Sequence, residues 1–442
     1  MKINQTSISE LKSSRRATGF IDRIVKSALL SLFENIQHGE LTIVDGDAVY
    51  RFGKHRPEFD CHARITVLDS RFWGDIGLGG TIGAGESYMQ NLWECDNLTD
   101  LVRIFVRNRG VLDRLDNGLA RLTRPFNKLI HSLRRNSRDG SKKNIAAHYD
   151  LGNDMFSLFL DETMMYSCGI FENPSATLKQ ASEAKLDRIC QKLQLCPEDH
   201  VIEIGTGWGG FAIHAARHYG CRVTTTTISK AQFDYASERV VAAGLEDRIT
   251  LLLEDYRDLE GTYDKLVSIE MIEAVGHQFM GTYFEKCSSL IKPDGAMLLQ
   301  AITIADQRYD EARRSVDFIQ KYIFPGGFIP SVTAMSGAIT RRTDMRLFHL
   351  EDIGPHYATT LARWREQFFH NIEQVRALGY PESFIRMWEF YLCYTEGGFA
   401  ERAIGTVHML LTKPDNRFGS NLPKLDQPVV EMTRSIRRLH SV

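Results

Sequence analysis

The stretch Val201-Ile-Glu-Ile-Gly-Thr-Gly-Trp-Gly-Gly210 constrains this chain more than any other. Val201, Ile202 and Ile204 read as a short buried strand, followed by a glycine-rich turn and a helix from about Trp208 to Tyr219. Glycines at such a turn let the backbone take positive φ and approach a ligand closely. The free N–H groups opening the next helix point at whatever lies over the turn. A nucleotide-like cofactor is the natural occupant. Gly205, Gly207 and Gly210 match G-x-G-x-x-G, but a dinucleotide site also wants an acidic residue about twenty positions on, for the ribose. That region is Val223-Thr-Thr-Thr-Thr-Ile-Ser229, without a carboxylate.

Glu203 instead precedes the first glycine by two residues. The order hydrophobic-Glu-hydrophobic-Gly-x-Gly-x-Gly resembles the first motif of class I S-adenosylmethionine (SAM) methyltransferases. A sulfonium cation is better matched to a nearby carboxylate than a pyrophosphate would be. The resemblance implies an α/β fold with a Rossmann-like, doubly wound sheet and SAM as cofactor, with Glu203, Gly205, Gly207 and Gly209 at the turn.

The length of 442 residues suffices for two or three domains with large cores. A net charge of −2 gives the whole chain no general attraction to nucleic acid, and neither N-P-P-Y nor a Pro-Cys catalytic pair is present. The eight cysteines form no C-x-x-C and no zinc spacing with histidines, so no metal site is expected and a reducing cytosol is. Residues 1–16 are polar and lack the apolar core of a signal peptide. No run approaches a membrane span, so any membrane contact is expected to be peripheral.

In chain order, apolar residues from Ile21 to Ile36 follow helical spacing, and the helix is expected to end near Gly39. Glu40–Val44 and Asp47–Tyr50 flank Asp45-Gly46, a hairpin signal, and another strand is expected over Ala63–Leu68. Residues 103–143 carry twelve Lys/Arg against three Asp, with Arg107, Arg114, Arg121, Lys128 and Arg135 seven apart. That stripe is either a solvated face or a surface for anionic phospholipid. Residues 136–143 read as a linker. From there helices and strands alternate: helices over Leu178–Leu193, Lys230–Ala243 and Tyr283–Ile291, strands over Arg222–Thr227, Ile249–Glu254, Leu266–Ile269 and Ala296–Ala301. Ligands of such sheets bind beyond the strands' carboxyl ends, which puts Gly205, Thr227, Asp255, Glu273 and Gln300 on one rim.

Several segments carry a closer resemblance. Gly83-Ala-Gly-Glu-Ser-Tyr-Met89 with Leu92-Trp-Glu-Cys-Asp96, His148-Tyr-Asp-Leu-Gly-Asn-Asp154, Tyr166-Ser-Cys168, Ser268-Ile-Glu-Met-Ile-Glu-Ala-Val-Gly276 and Lys321-Tyr-Ile-Phe-Pro-Gly-Gly327 are similar to segments of the cyclopropane fatty acid synthases. Taken alone, Glu86 and Glu94 read as surface or capping carboxylates as readily as functional ones. The resemblance covers roughly residues 80–410. With the readings above, the chain is expected to hold an N-terminal α+β and helical domain over 1–140, a methyltransferase domain over 141–412 and, past the resemblance, a polar tail over 413–442.

The family moves the SAM methyl onto a cis double bond of a phospholipid acyl chain, through a carbocation that then closes to a cyclopropane. The resemblance therefore implies an enzyme acting on unsaturated phospholipid, cytoplasmic, on the inner face of the membrane, and a homodimer. The rival outcome is the same transfer ending in a methyl-branched or methylene-bearing chain. The family's base is a bicarbonate held by Cys, Glu, His, Ile and Tyr. These map to Cys168, Glu273, Gln300, Ile302 and Tyr357. Gln300 stands in the histidine's place and cannot carry its charge. Either bicarbonate binds with Gln300, or Glu273 is the base. Carried over as cofactor contacts are Tyr166, Ser167, Thr227, Gln232, Asp255 and Tyr256.

Overall fold

The computed structural model describes residues 21–117 and 152–419. The linker at 136–143, the segment 148–151, the greater part of the basic stripe (Arg121, Lys128, Arg135) and residues 420–442 lie outside the described residues.

The N-terminal part is a four-stranded sheet in the order β2-β1-β3-β4, made of β1 (Gly39–Asp45), β2 (Ala48–Lys54), β3 (His62–Val67) and β4 (Trp93–Cys95). β1 and β2 form the expected hairpin, Asp45 facing Ala48, and β3 runs parallel to β1. Alternation buries Leu41 and Ile43 on one face of β1. The helix Ile21–Phe33 covers that part of the core with Val25, Leu29 and Phe33. It stops before the expected end near Gly39.

The helix Arg71–Met89 joins this sheet to the rest of the molecule, and it is rich in glycine because it is packed tightly. A Cβ on Gly85 would lie 2.4 Å from the ring of Phe318. The residues that follow it are keyed across the same junction. Glu86 accepts from Tyr322 Oη at 2.6 Å and pairs with Lys321. Tyr88 Oη donates to Glu389 at 2.7 Å, and Trp93 Nε1 donates to Ser87 Oγ at 3.0 Å. Glu86 is thus a bridging carboxylate, whereas Glu94 is exposed on β4. Arg107 of the basic stripe is ion-paired to Glu401, while Arg114 is exposed.

The second sheet has seven strands in the order β10-β11-β9-β8-β5-β6-β7. They are β5 (His200–Ile204), β6 (Arg222–Thr226), β7 (Ile249–Leu252), β8 (Tyr263–Ile269), β9 (Ile291–Ile304), β10 (Arg346–Asp352) and β11 (Ile404–Thr412). β7, β6, β5, β8 and β9 are parallel; β11 runs antiparallel to both β9 and β10. Because β5 lies between β6 and β8, the order of strands reverses at β5, and the crevice beyond its end is the ligand site of a doubly wound sheet. Val201, Ile202 and Ile204 are buried on both faces, as a central parallel strand requires.

β8 begins three residues before the expected Leu266, β9 extends well past Ala296–Ala301, and the helix after the turn begins at Gly210, leaving Trp208 in the turn. β10 and β11 were not legible as strands. The chain also stays packed past residue 413, the expected start of the tail. Lys413 Nζ meets Asp344 at 2.6 Å, Asn416 Nδ2 donates to Asp294 O at 2.7 Å, and Lys265 lies over the Phe418 ring. Among the described residues no helix is long and apolar enough to cross a membrane.

Candidate active site

The glycine turn hangs on three positive-φ residues: Gly205 (105°), Gly207 (52°) and Gly209 (85°). A Cβ on Gly207 would meet no atom within 4 Å, so it would project into open space over the turn. That space is one end of a cavity of about 840 Å³. Tyr166, Ser167, Glu203, Gly205, Gly207, Thr227, Gln232, Asp255 and Tyr256, the residues carried over as cofactor contacts, all line it. Gly209 does not. It caps the helix Gly210–Tyr219 in the left-handed conformation and faces Ala236 of the neighbouring helix, so its part is to close the turn.

The polar groups at this end are buried and already oriented. Thr225 Oγ1 donates to Glu203 Oε2 at 2.6 Å, and Thr227 Oγ1 donates to Gln232 Oε1 at 2.9 Å. Burial pushes the Glu203 carboxyl up to about 8, so a cationic ligand beside it would favour its ionised form. Both oxygens of Asp255 are held by the Arg257 guanidinium. The glycine cradle, the buried carboxylate and the polar rim fit a SAM-type cofactor.

Beyond the turn the cavity meets two glutamates one helical turn apart. Glu270 sits directly after β8 with φ 48°, a left-handed backbone that is uncommon outside glycine and clusters at functional sites. Its Oε1 accepts from Cys168 N at 3.1 Å and from Gln300 Nε2 at 2.7 Å, and its Oε2 from Tyr357 Oη at 2.6 Å. Burial raises the Glu270 carboxyl, and these three donors pull it back. Glu273, in the short 3-10 turn Ile272–Ala274, accepts from Ile302 N at 2.5 Å, and its buried Oε2 has no partner among the described residues. Burial, with the charge on Glu270, pushes the Glu273 carboxyl up to about 8. Two neighbouring carboxyls are thereby driven apart. Glu273 therefore holds its proton at neutral pH, while three donors converge on Glu270 as they would on a carboxylate.

The five residues expected to hold a bicarbonate are therefore together, but three of them are engaged by Glu270. Its carboxylate takes three of the donors that a bicarbonate would need. Cys168 and Gln300 stand behind Glu270 and not at the cavity wall, whereas Glu273, Ile302 and Tyr357 line it. Cys168 contributes its backbone N–H; burial holds its thiol far above the ordinary range, and Sγ points at backbone carbonyls. Tyr357 is stacked on Phe399, ring centres 4.3 Å apart, which fixes its hydroxyl on Glu270.

Glu270 was missed in the sequence, and the available signal was the doubled Glu in Ser268-Ile-Glu-Met-Ile-Glu together with Gln300. Lys185 was missed as well. It has no exposed surface, donates to Ser167 Oγ at 2.8 Å, and burial pulls its ammonium down to about 8. The rest of the cavity is apolar and aromatic. Phe324, Phe390, Tyr391 and Phe399 surround the middle, and Phe33, Ile65, Phe72 and Trp93 carry it under the N-terminal sheet.

A family model described as mycolic acid cyclopropane synthetase matches residues 136–409. The tuberculostearic acid methyltransferase UfaA1 of Mycobacterium tuberculosis is 42% identical over 367 residues, 81% of this chain and 84% of that protein. The cyclopropane-fatty-acyl-phospholipid synthase of Escherichia coli strain K12 is 38% identical over 347 residues, 77% of this chain and 86% of that one. Among solved structures, the mycolic acid cyclopropane synthase CmaA1 complexed with SAH and CTAB superposes with a TM-score of 0.56 at 30% identity, over 62% of this chain and 98% of its own.

Proposed function

The chain belongs to the mycolic acid cyclopropane synthetase family, and from that premise we propose that it methylates a double bond in a lipid acyl chain with SAM and passes the released proton to Glu270. When bound, the cofactor supplies an electrophilic methyl group. The observation that carries the reading is the Glu270 carboxylate, anchored by three donors in the wall of a largely apolar cavity that opens from the glycine turn.

An alkene offers no hydrogen bonds and is a weak nucleophile. The cavity suits it by excluding water and holding it at contact distance. Its π electrons form the new carbon–carbon bond, leaving a cation on the adjacent carbon, and aromatic faces tolerate such a charge. Glu270 then accepts one proton on Oε2, the oxygen with a single protein donor. Glu273, protonated, adds no second negative charge. Tyr357 holds Glu270 in place, and the backbone N–H of Ile302 holds Glu273.

The open-chain product is the favoured one. A hydride shift turns the secondary cation into a tertiary one on the methylated carbon, and loss of a methyl proton leaves a methylene branch. The similarity to a tuberculostearic acid methyltransferase supports this outcome. Ring closure is the second reading, supported by the similarity to the Escherichia coli synthase. Phospholipid in an anionic bilayer is the proposed source of the acyl chain, and the basic excess of residues 103–143 supports docking there.

Vesicles of unsaturated phospholipid, incubated with the protein and SAM bearing a deuterated methyl, test the reading by mass spectrometry. The expected acyl chain is one methylene heavier and retains two of the three deuteriums. Mild hydrogenation consumes a methylene branch and spares a ring. No label in lipid would overturn the function, and a resistant product would move it to the ring.

A further inference from the structure

Behind Glu270 a row of polar side chains crosses the sheet. Glu351 on β10 faces His408 on β11, and His408 faces Gln300 on β9. Gln300 in turn faces Ile269, the last residue of β8, and Glu270 follows it. The side chains are linked along this line. Lys192, at the end of the helix Leu178–Lys192, reaches Glu351 Oε2 at 2.5 Å and His408 Nδ1 at 3.0 Å. His408 Nε2 lies 2.9 Å from Gln300 Oε1, and Gln300 Nε2 donates to Glu270 Oε1 at 2.7 Å. His408 and Gln300 have no exposed surface.

The direction of every bond in this row follows from its outer end. The Lys192 ammonium, paired with Glu351, can only donate. His408 Nδ1 must therefore accept, which puts the proton of the neutral ring on Nε2. That N–H donates to Gln300 Oε1, so the amide can turn only its NH₂ towards Glu270. Were the amide flipped, its oxygen would face a carboxylate oxygen and its NH₂ would face the ring N–H. Lys192, Lys185 and Arg188 face His408 as cations and Glu351 as the anion. Burial and the cations hold the ring well below its ordinary range, hence neutral.

We propose that His408, oriented by Lys192, is a positioning residue that fixes the Gln300 amide as a donor to Glu270. Glu270 Oε1 is thereby saturated, by Cys168 N–H and Gln300, and Oε2 is left as the oxygen that receives the proton. This rests on the reading of Glu270 as the proton acceptor. It also accounts for Gln300, whose side chain must accept on one side and donate on the other, as a protonated histidine cannot.

The full chain with ¹⁵N-labelled histidine tests the row without any turnover. The expected His408 signal, identified by its loss in His408→Gln, is that of a neutral ring protonated on Nε2 throughout about pH 6–8. In the lipid assay His408→Leu should lower kcat about 10- to 100-fold, the scale of a lost hydrogen bond to a charged group. SAM affinity and KM should stay unchanged, and the acidic limb of the kcat profile should move to higher pH as Glu270 loses a donor. His408→Gln, which both accepts and donates, should restore kcat and the limb. A ring protonated on Nδ1, a cationic ring at neutral pH, or equal losses in both variants with an unmoved limb would overturn the proposal. If the wild type methylates no lipid, the functional reading fails while the ring signal still decides the row.

Discussion

Replacing Glu270 by glycine separates a resident carboxylate from a borrowed anion. The substitution removes the acceptor to which Gln300 Nε2 and Tyr357 Oη donate, together with the acceptor of Cys168 N–H. Each buried donor left without a partner costs about 1–3 kcal/mol, so three cost about 3–9 kcal/mol before water enters. Glycine accepts φ 48° freely, which returns roughly 1–2 kcal/mol of left-handed strain. Glu270→Gly should therefore lose about 1–8 kcal/mol of stability, and its methyl transfer should fall about 10²- to 10⁴-fold with the loss of the base. The vacated cradle presents three converging donors to a small planar anion. Bicarbonate should bind there, and at one hundred times its dissociation constant it should return about 2.7 kcal/mol. The assays are urea unfolding and transfer of radiolabelled methyl to lipid, each in carbonate-free buffer and after adding bicarbonate. The wild type should not respond, while the variant should gain both stability and activity. A wild type that depends on bicarbonate, or a variant fully active without it, would refute the assignment of Glu270.

Gly207→Val puts a branched side chain into the open space over the turn at φ 52°, so calorimetry should show SAM binding lost while circular dichroism stays native. Tyr357→Phe removes one donor from Glu270 without disturbing the stack on Phe399, and kcat should fall about tenfold with KM unchanged, read from initial rates. Glu273, protonated up to about 8 when folded against an ordinary 4.5, binds its proton more tightly in the folded state, so its contribution to stability is complete at low pH and is lost as pH rises from 4.5 to about 8. Glu273→Gln should remove that slope, worth at most about 5 kcal/mol, and urea melts at both ends of the range would show whether the difference from wild type grows with pH. Reversing Arg114, Arg121 and Lys128 to Glu should weaken salt-sensitive co-sedimentation with anionic vesicles; undiminished binding would leave the stripe a solvated face.

Strictly local chemistry made much of this protein legible. The β1–β2 hairpin follows from Asp45-Gly46 between alternating strands, and the cofactor turn follows from a buried strand running into glycines at 205, 207 and 209. Such features need only a few adjacent residues, and periodicity records them. β10 escaped because Arg346-Leu-Phe-His-Leu-Glu-Asp352 mixes charge with apolar residues, and its Glu351 is paired with Arg188 and Lys192, far along the chain. The same reason hid Glu270. A glutamate next to a catalytic-looking glutamate has no meaning in sequence until Cys168, Gln300 and Tyr357, brought from a loop, a distant strand and a helix, converge on one of the pair. The sequence also marked Gln300 as a departure, because it cannot carry the charge of the histidine whose place it takes. Only the tertiary structure supplied the carboxylate it serves and the His408–Lys192 row behind it, because hydrogen-bond direction is decided by donors and acceptors that meet across strands and not along them.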